Sequence, residues 1–294
     1  MPTLTSATAR VEVSTHGAEL TSFVHLATGR DYIWPADPAQ WARHAPLLFP
    51  IVGKLPNDSY LYEGQLYKLP QHGFARDQEF QLIRHEAGSL TFQLMASESS
   101  RAVFPFEFDL RVHYELRDTL LTVEWRVRNP AAAPHELLFS IGAHPAFRCP
   151  LRPEAGEQFS EYAFHFDHPV ALRRQLLRGG LRTGETAPVA TQPALLPLSY
   201  DLFADDALVF SHFDFTRLTL QKADKTGPFV RMQFDGFPYL GLWTKGPGAG
   251  FVCIEPWQGV ASLAGPAQEL RDKEGILTVV PGQTFVARYS IEIG

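Results

Sequence analysis

The chain of 294 residues has only two cysteines, Cys149 and Cys253, and no Cys-x-x-Cys pair. That shortage excludes a disulfide scaffold, a zinc ribbon and thioredoxin-type redox chemistry. No apolar run approaches the roughly 18 residues a membrane helix needs. The N-terminus shows no basic segment followed by an apolar stretch, so no signal peptide is visible. Positive charge is also short, with 26 Lys and Arg against 32 Asp and Glu and a net charge of −6. Nucleic acid and an anionic membrane surface are therefore poor partners. No repeat of fixed period occurs, which removes propellers and solenoids. These absences predict a soluble, cytoplasmic protein in a reducing compartment, the alternative being a secreted form trimmed of its leader. The composition is 45% hydrophobic and 20% charged, enough apolar material for a sizeable core and too little charge for a disordered chain.

What the chain does have is alternation. Phe106, Phe108, Leu110, Val112, Tyr114 and Leu116 interleave with Glu107, Asp109, Arg111, His113 and Glu115. That is the pattern of a strand with one wet face. Val123, Trp125 and Val127 repeat it, as do Val230, Met232 and Phe234, and the shorter run Leu90, Phe92 and Leu94. Turn signals part these runs at Arg117-Asp118, at Lys225-Thr226-Gly227-Pro228 and at Pro281-Gly282, ahead of a last strand from Thr284 to Ile291. The best helical segment is Asp37 to Arg43, one or two turns long. The stretch Arg178 to Pro197, rich in Gly, Thr and Pro, reads as a long connection across one end of a sandwich rather than as a linker. The expectation is an all-β fold, a large antiparallel β-sandwich with few short helices, in one domain spanning residues 1–294.

Three segments do not fit plain strand or turn logic. They are Leu69-Pro70-Gln71-His72-Gly73-Phe74-Ala75-Arg76, Ile141-Gly142-Ala143-His144-Pro145-Ala146-Phe147 and Phe251-Val252-Cys253-Ile254-Glu255-Pro256-Trp257. Each sets a titratable residue beside Gly or Pro at an expected strand end. Pro145 biases His144 to extended backbone, and Gly142 permits close approach of another group. A histidine there either exchanges protons near neutral pH or is a structural residue bonded to a carbonyl. His72 is either a site residue or part of an ordinary polar turn. Glu255, behind an apolar run, is either a desolvated base of raised pKa or a salt-bridged carboxylate.

Together these segments resemble those of the aldose 1-epimerases, the galactose mutarotase-like superfamily, and most nearly its lactose-operon mutarotase-like branch. The resemblance extends, in the expected order, through Gly17-Ala18-Glu19-Leu20, Leu48-Phe49-Pro50-Ile51-Val52-Gly53-Lys54-Leu55, Phe203-Ala204-Asp205-Asp206-Ala207-Leu208-Val209-Phe210 and Leu242-Trp243-Thr244-Lys245. It covers the chain from about Val11 onward. It implies a large antiparallel β-sandwich with a sugar cleft, and interconversion of the α and β anomers of free aldoses without a cofactor or a metal.

By the same resemblance Glu255 matches the general base that takes the anomeric proton. His144 matches the general acid that protonates the ring oxygen, and His72 the second histidine beside that oxygen. Near neutral pH an ionised Glu and a protonated His suit those roles. Asp206, in preference to its neighbour Asp205, would grip sugar hydroxyls, and Arg76 is a candidate donor to them. Phe74, Trp243 and Trp257 are candidates for stacking on the sugar, with core packing as the alternative for each. Relatives commonly carry Arg where Lys54 stands. Lysine keeps the charge but loses the planar fork.

Three other readings stay open. A hexose-phosphate epimerase would need a cationic cluster, for which Lys54, Arg76 and Arg43 could serve. Two His and one Glu could hold a metal, although they lack the His-Glu-x-x-His spacing. A carbohydrate-binding protein without catalysis is the third. The expected partner is a small aldohexose such as galactose or glucose; the oligomeric state is not readable.

Overall fold

Alternation in the sequence becomes pairing in space. The computed structural model describes residues 1–294. The Phe106–Leu116 run yields the strand Asp109–Arg117, which turns at Asp118 (φ 50°) and pairs with Leu120–Arg128, Val112 lying opposite Trp125. These strands sit in a nine-stranded sheet. Its order is Leu195–Pro197, Tyr162–His165, Arg217–Lys222, Val230–Gln233, Thr284–Ile293, Leu120–Arg128, Asp109–Arg117, Ser89–Met95 and Gln81–Glu86, every pairing antiparallel. The fold is the large antiparallel sandwich the sequence implies.

The second large sheet runs Leu181–Val189, Leu172–Arg178, Leu208–Ser211, Tyr239–Trp243, Phe251–Trp257, Gly142–Ala143 and Leu47–Leu48, with Ala146–Arg148 also paired to Phe251–Trp257. A strand's side chains alternate between faces. Leu208, Phe210, Leu240, Leu242, Val252 and Ile254 therefore join the main core, together with Leu110, Val112 and Tyr114 of the first sheet. Val209, Gly241, Trp243, Cys253, Glu255 and Trp257 take the opposite face, which carries the cleft. A four-stranded sheet, Thr3–Thr5, Ala9–Val13, Leu20–His25 and Arg30–Asp31, adds to the same core.

Two expectations about local structure are corrected. Asp37 to Arg43 is not a helix. Asp37 closes a single turn, its carbonyl accepting from Gln40 and Trp41 N–H and its Oδ1 from Ala39 N–H at 2.9 Å. No further turn follows, and Lys245 Nζ takes the Gln40 carbonyl. The one α-helix is instead Glu98–Val103, started by a capping box between Ser97 and Ser100. Nor is Arg178 to Pro197 a plain connection. It continues a β-hairpin in which Leu181–Val189 folds back on Leu172–Arg178. Gly179 and Gly180, both at positive φ (60° and 80°), make the two-residue turn that such hairpins favour. No helix is long and apolar enough to cross a membrane.

Candidate active site

The cleft has a volume of about 590 Å³ and is walled by segments far apart in the chain. Its floor is Trp257. The indole lies over two positions that have no Cβ. An added Cβ at Gly142 would come within 2.5 Å of Trp257 Cδ1, and one at Gly241 within 2.5 Å of its Cη2 and Cζ2. Trp257 Nε1 donates to the Ala143 carbonyl at 3.1 Å, fixing the ring. The close approach that Gly142 allows is thus made by this tryptophan.

Glu255 is one register step from Trp257 on the same face, opposite Gly241. It is the fifth of seven residues in its strand, not at its end. His144 follows the short strand Gly142–Ala143 and meets it, with Nε2 and Glu255 Oε2 3.0 Å apart. The N–H direction misses the oxygen, and Oε2 is left without a well-aligned hydrogen-bond partner, as is His144 Nδ1. Aromatic rings enclose the imidazole. Trp41 lies 5.0 Å away at 30°, and Trp243 and His72 are both at 5.7 Å, edge-on.

This enclosure works against charge on both groups. Burial holds the His144 pKa down to about 3. Burial, and then the nearby Asp206 carboxylate, push Glu255 well above the usual carboxylate range. Burial thus disfavours charge on both groups, and His144 lies below the range of a histidine that is protonated near neutral pH.

His72 sits at the third position of a tight turn, with φ of 69°, and its turn is closed by Gly73 N–H bonding the Pro70 carbonyl. Gly73, at φ 71°, leaves no room for a Cβ against the Phe49 carbonyl. Gly53 N–H donates to His72 Nδ1 at 3.2 Å, and His72 N–H returns a bond to the Gly53 carbonyl at 2.9 Å. An accepting Nδ1 leaves the hydrogen on Nε2 in the neutral ring. Burial and the nearby His144, Arg76 and Arg43 hold the His72 pKa well below its ordinary value.

Asp206, Lys54, Arg76, Trp243 and Trp257 all line the same cleft. Asp206 is held at φ 89°, its Oδ1 accepting from Ala207 N–H at 2.7 Å. Asp205 points elsewhere, to Arg174 at 3.0 Å, so the choice between the two falls on Asp206. Arg76 donates through Nη2 to the Gln71 carbonyl at 2.7 Å, while its buried Nε has no partner. Lys54 lies along the Gly179–Gly180 turn, within 3.2 Å of where a Gly180 Cβ would stand.

One candidate is corrected. Phe74 does not face the cleft. It packs against the main core, edge-on to Phe49 at 6.4 Å and to Phe104 at 6.3 Å. Phe74 N–H and Ala75 N–H both bond the Phe49 carbonyl, which turns the ring away from the side His72 faces. Trp41 was not singled out from the sequence, yet it stacks on His144 and on Phe251 and lines the cleft. A large aromatic stranded in a Pro-bounded segment without strand pattern was its only signal.

The sequence pattern of the family described as Aldose 1-epimerase matches residues 2–263. Protein LacX, chromosomal, of Lactococcus lactis subsp. lactis is 32% identical over 291 residues, covering 96% of each chain. The galactose mutarotase related enzyme of Lactobacillus acidophilus superposes with a TM-score of 0.92 at 35% identity, over 99% of this chain and 96% of that one. A galactose mutarotase-like protein of Lactobacillus casei ATCC 334 gives a TM-score of 0.92 at 27% identity, over 100% of both chains.

Proposed function

Because this chain belongs to the aldose 1-epimerase family, a family of isomerases, we propose that it interconverts the α and β anomers of a free aldohexose such as galactose or glucose. The observation that carries this reading is the 3.0 Å approach of His144 Nε2 and Glu255 Oε2 on the floor of a cleft large enough for one sugar. A carboxylate and an imidazolium so placed can flank the anomeric hydroxyl and the ring oxygen.

The pair holds one proton and is neutral overall in either arrangement. With a ring-closed sugar bound, the working form is carboxylate and imidazolium, the two groups 3.0 Å apart. Glu255 then takes the proton of the anomeric hydroxyl, and that oxygen's electrons form the aldehyde carbonyl. The bond from C1 to the ring oxygen breaks, and His144 gives its proton to that oxygen. Rotation of the aldehyde and the reverse steps close the ring on the other face. The open-chain stage leaves a protonated Glu255 and a neutral His144, the uncharged arrangement that burial favours. The desolvated site thus supports the high-energy intermediate more than the closed ring, the differential binding that catalysis requires.

His72, through Nε2–H, and Arg76 donate to sugar oxygens, Asp206 accepts from hydroxyls, and Trp41, Trp243 and Trp257 cover the apolar face. The free thiols Cys149 and Cys253 suit a reducing compartment, and we assign the reaction to the cytoplasm. Polarimetry of freshly dissolved α-galactose and α-glucose tests the proposal. Mutarotation should be accelerated by the protein, and a rate equal to buffer alone would leave only carbohydrate binding.

A second reading, a hexose-phosphate epimerase, draws on one observation. Lys54 makes no ion pair, and the nearest carboxylate to Arg76, that of Asp77, is 3.8 Å away. Two under-neutralised cations on the histidine side of the cleft would suit an anionic substituent on the sugar. Turnover of glucose 6-phosphate in preference to glucose and galactose would establish that reading over the first.

A further inference from the structure

The face of Phe251–Trp257 that bears Glu255 also bears Cys253, and His144 stands over both. One donor atom from each of the imidazole, the thiol and the carboxyl lies within 4.8 Å of the other two. His144 Nε2 and Glu255 Oε2 are 3.0 Å apart, a few tenths of an ångström short of the roughly 3.3 Å between adjacent ligands of a tetrahedral ion with bonds of about 2.0–2.1 Å. The group is also uncommitted. Cys253 is a free, fully buried thiol, and Glu255 Oε2 lacks a hydrogen-bond partner although Glu255 is only 1% exposed. The set differs from the two histidines and one glutamate that the sequence offered for a metal, because Gly53 N–H occupies His72 Nδ1.

We infer that the base of the cleft is a site for a soft divalent cation, zinc or cadmium, held by His144, Cys253 and Glu255. The occupied site is an inhibited state of the protein. Nitrogen, sulfur and oxygen donors together select such ions, whereas calcium and magnesium require six or more oxygens. Binding breaks the Cys253 S–H bond and forms a metal–thiolate bond. The thiol and carboxyl protons leave to solvent, so affinity rises with pH. Because His144 and Glu255 line the cleft, a water or sugar hydroxyl from it would complete the ion's coordination. An ion there occupies the two groups that the proposed reaction uses and competes with the sugar.

The test is a cadmium titration of the full chain, followed by the ultraviolet thiolate-to-cadmium absorption. This readout needs no turnover, so it stands or falls apart from the proposed activity. One ion per chain should bind in the wild type and in Cys149→Ser, whose thiol lies elsewhere in the core. The band should vanish in Cys253→Ser and in Cys253→Ala, the second variant covering the chance that a buried hydroxyl perturbs folding. In turnover assays Cys253→Ser should keep its rate while the inhibitory cadmium concentration rises about tenfold or more. No band in the wild type, or a band that survives loss of Cys253, overturns the inference.

Discussion

The two large sheets handle charge in opposite ways. On the outer sheet, Arg111, Arg117 and Arg126 each pair with an acid two residues away on the same strand, Asp109, Glu115 and Glu124, at 2.6–2.8 Å. These arginines face water, where such pairs contribute little. On the cleft sheet, Glu255 is buried with only the imidazole of His144 against it, and His72, in a turn beside the cleft, is buried near Arg76 and Arg43. The outer sheet gives each of these acids an arginine, even where the acid itself is buried, as Asp109 is. The cleft sheet keeps titratable groups desolvated and poorly matched, which is costly for a fold and useful for moving protons.

The largest break in that contrast is Glu255→Gln. If the carboxyl is the proton-transfer group, turnover should fall by about 10²–10⁴ or more, while thermal unfolding shows no loss of stability because no ion pair is removed. His144→Asn should act likewise. Mutarotation at the wild-type rate in either folded variant would remove the assigned roles. Next comes Gly241→Ala, which drives a methyl group into Trp257. Overpacking of this kind costs about 1–3 kcal/mol, and calorimetry should show a lowered melting temperature together with weakened activity. An unchanged melting temperature would mean the indole is free to move.

The pH profile sharpens the comparison further. His144 takes up a further proton only near pH 3, so it does not titrate where an ordinary histidine would. Activity should stay level as pH falls from about 7 to about 5, where an ordinary histidine would titrate. Stability should not stay level. The unfolded chain protonates its histidines near 6.5 while His144 and His72 remain neutral in the fold. On these two histidines the unfolded state binds more protons, so their contribution to stability falls as pH drops from about 6.5 toward 3, while the raised carboxyl of Glu255 contributes in the opposite sense. A kinetic step centred near 6.5 would show that the imidazole is solvated. The smallest effect belongs to the outer sheet: Arg117→Ala should leave both melting temperature and turnover within error, as a screened surface pair predicts.

The outer strands were legible because one face is wet, and Phe106–Leu116 announces itself by alternation. Phe251–Trp257 is buried on both faces, so its alternation is hidden in a continuous apolar run, and only the odd Glu255 marks it. That same hidden period of two puts Cys253 on the face of Glu255. The hairpin at Gly179–Gly180 was obscured by Thr and Pro, which ordinarily mark loops. At Asp37 the chain makes a single turn, and its Gln40 carbonyl goes to Lys245, a long-range contact that no local pattern announces. Ordered motifs brought His72, His144, Glu255 and Asp206 into view. They could not tell that Phe74, one residue beyond Gly73, turns into the core, nor that Trp41 would be drawn over His144.

The ring of indoles gives the protein an optical reporter of its own. Trp41, Trp243 and Trp257 line the cleft, whereas Trp125 is sealed in the outer layer against Phe237 and Tyr289. A guest in the cleft must change the surroundings of the first three and leave the fourth as an internal reference. Fluorescence emission can therefore follow cleft occupancy without a dye.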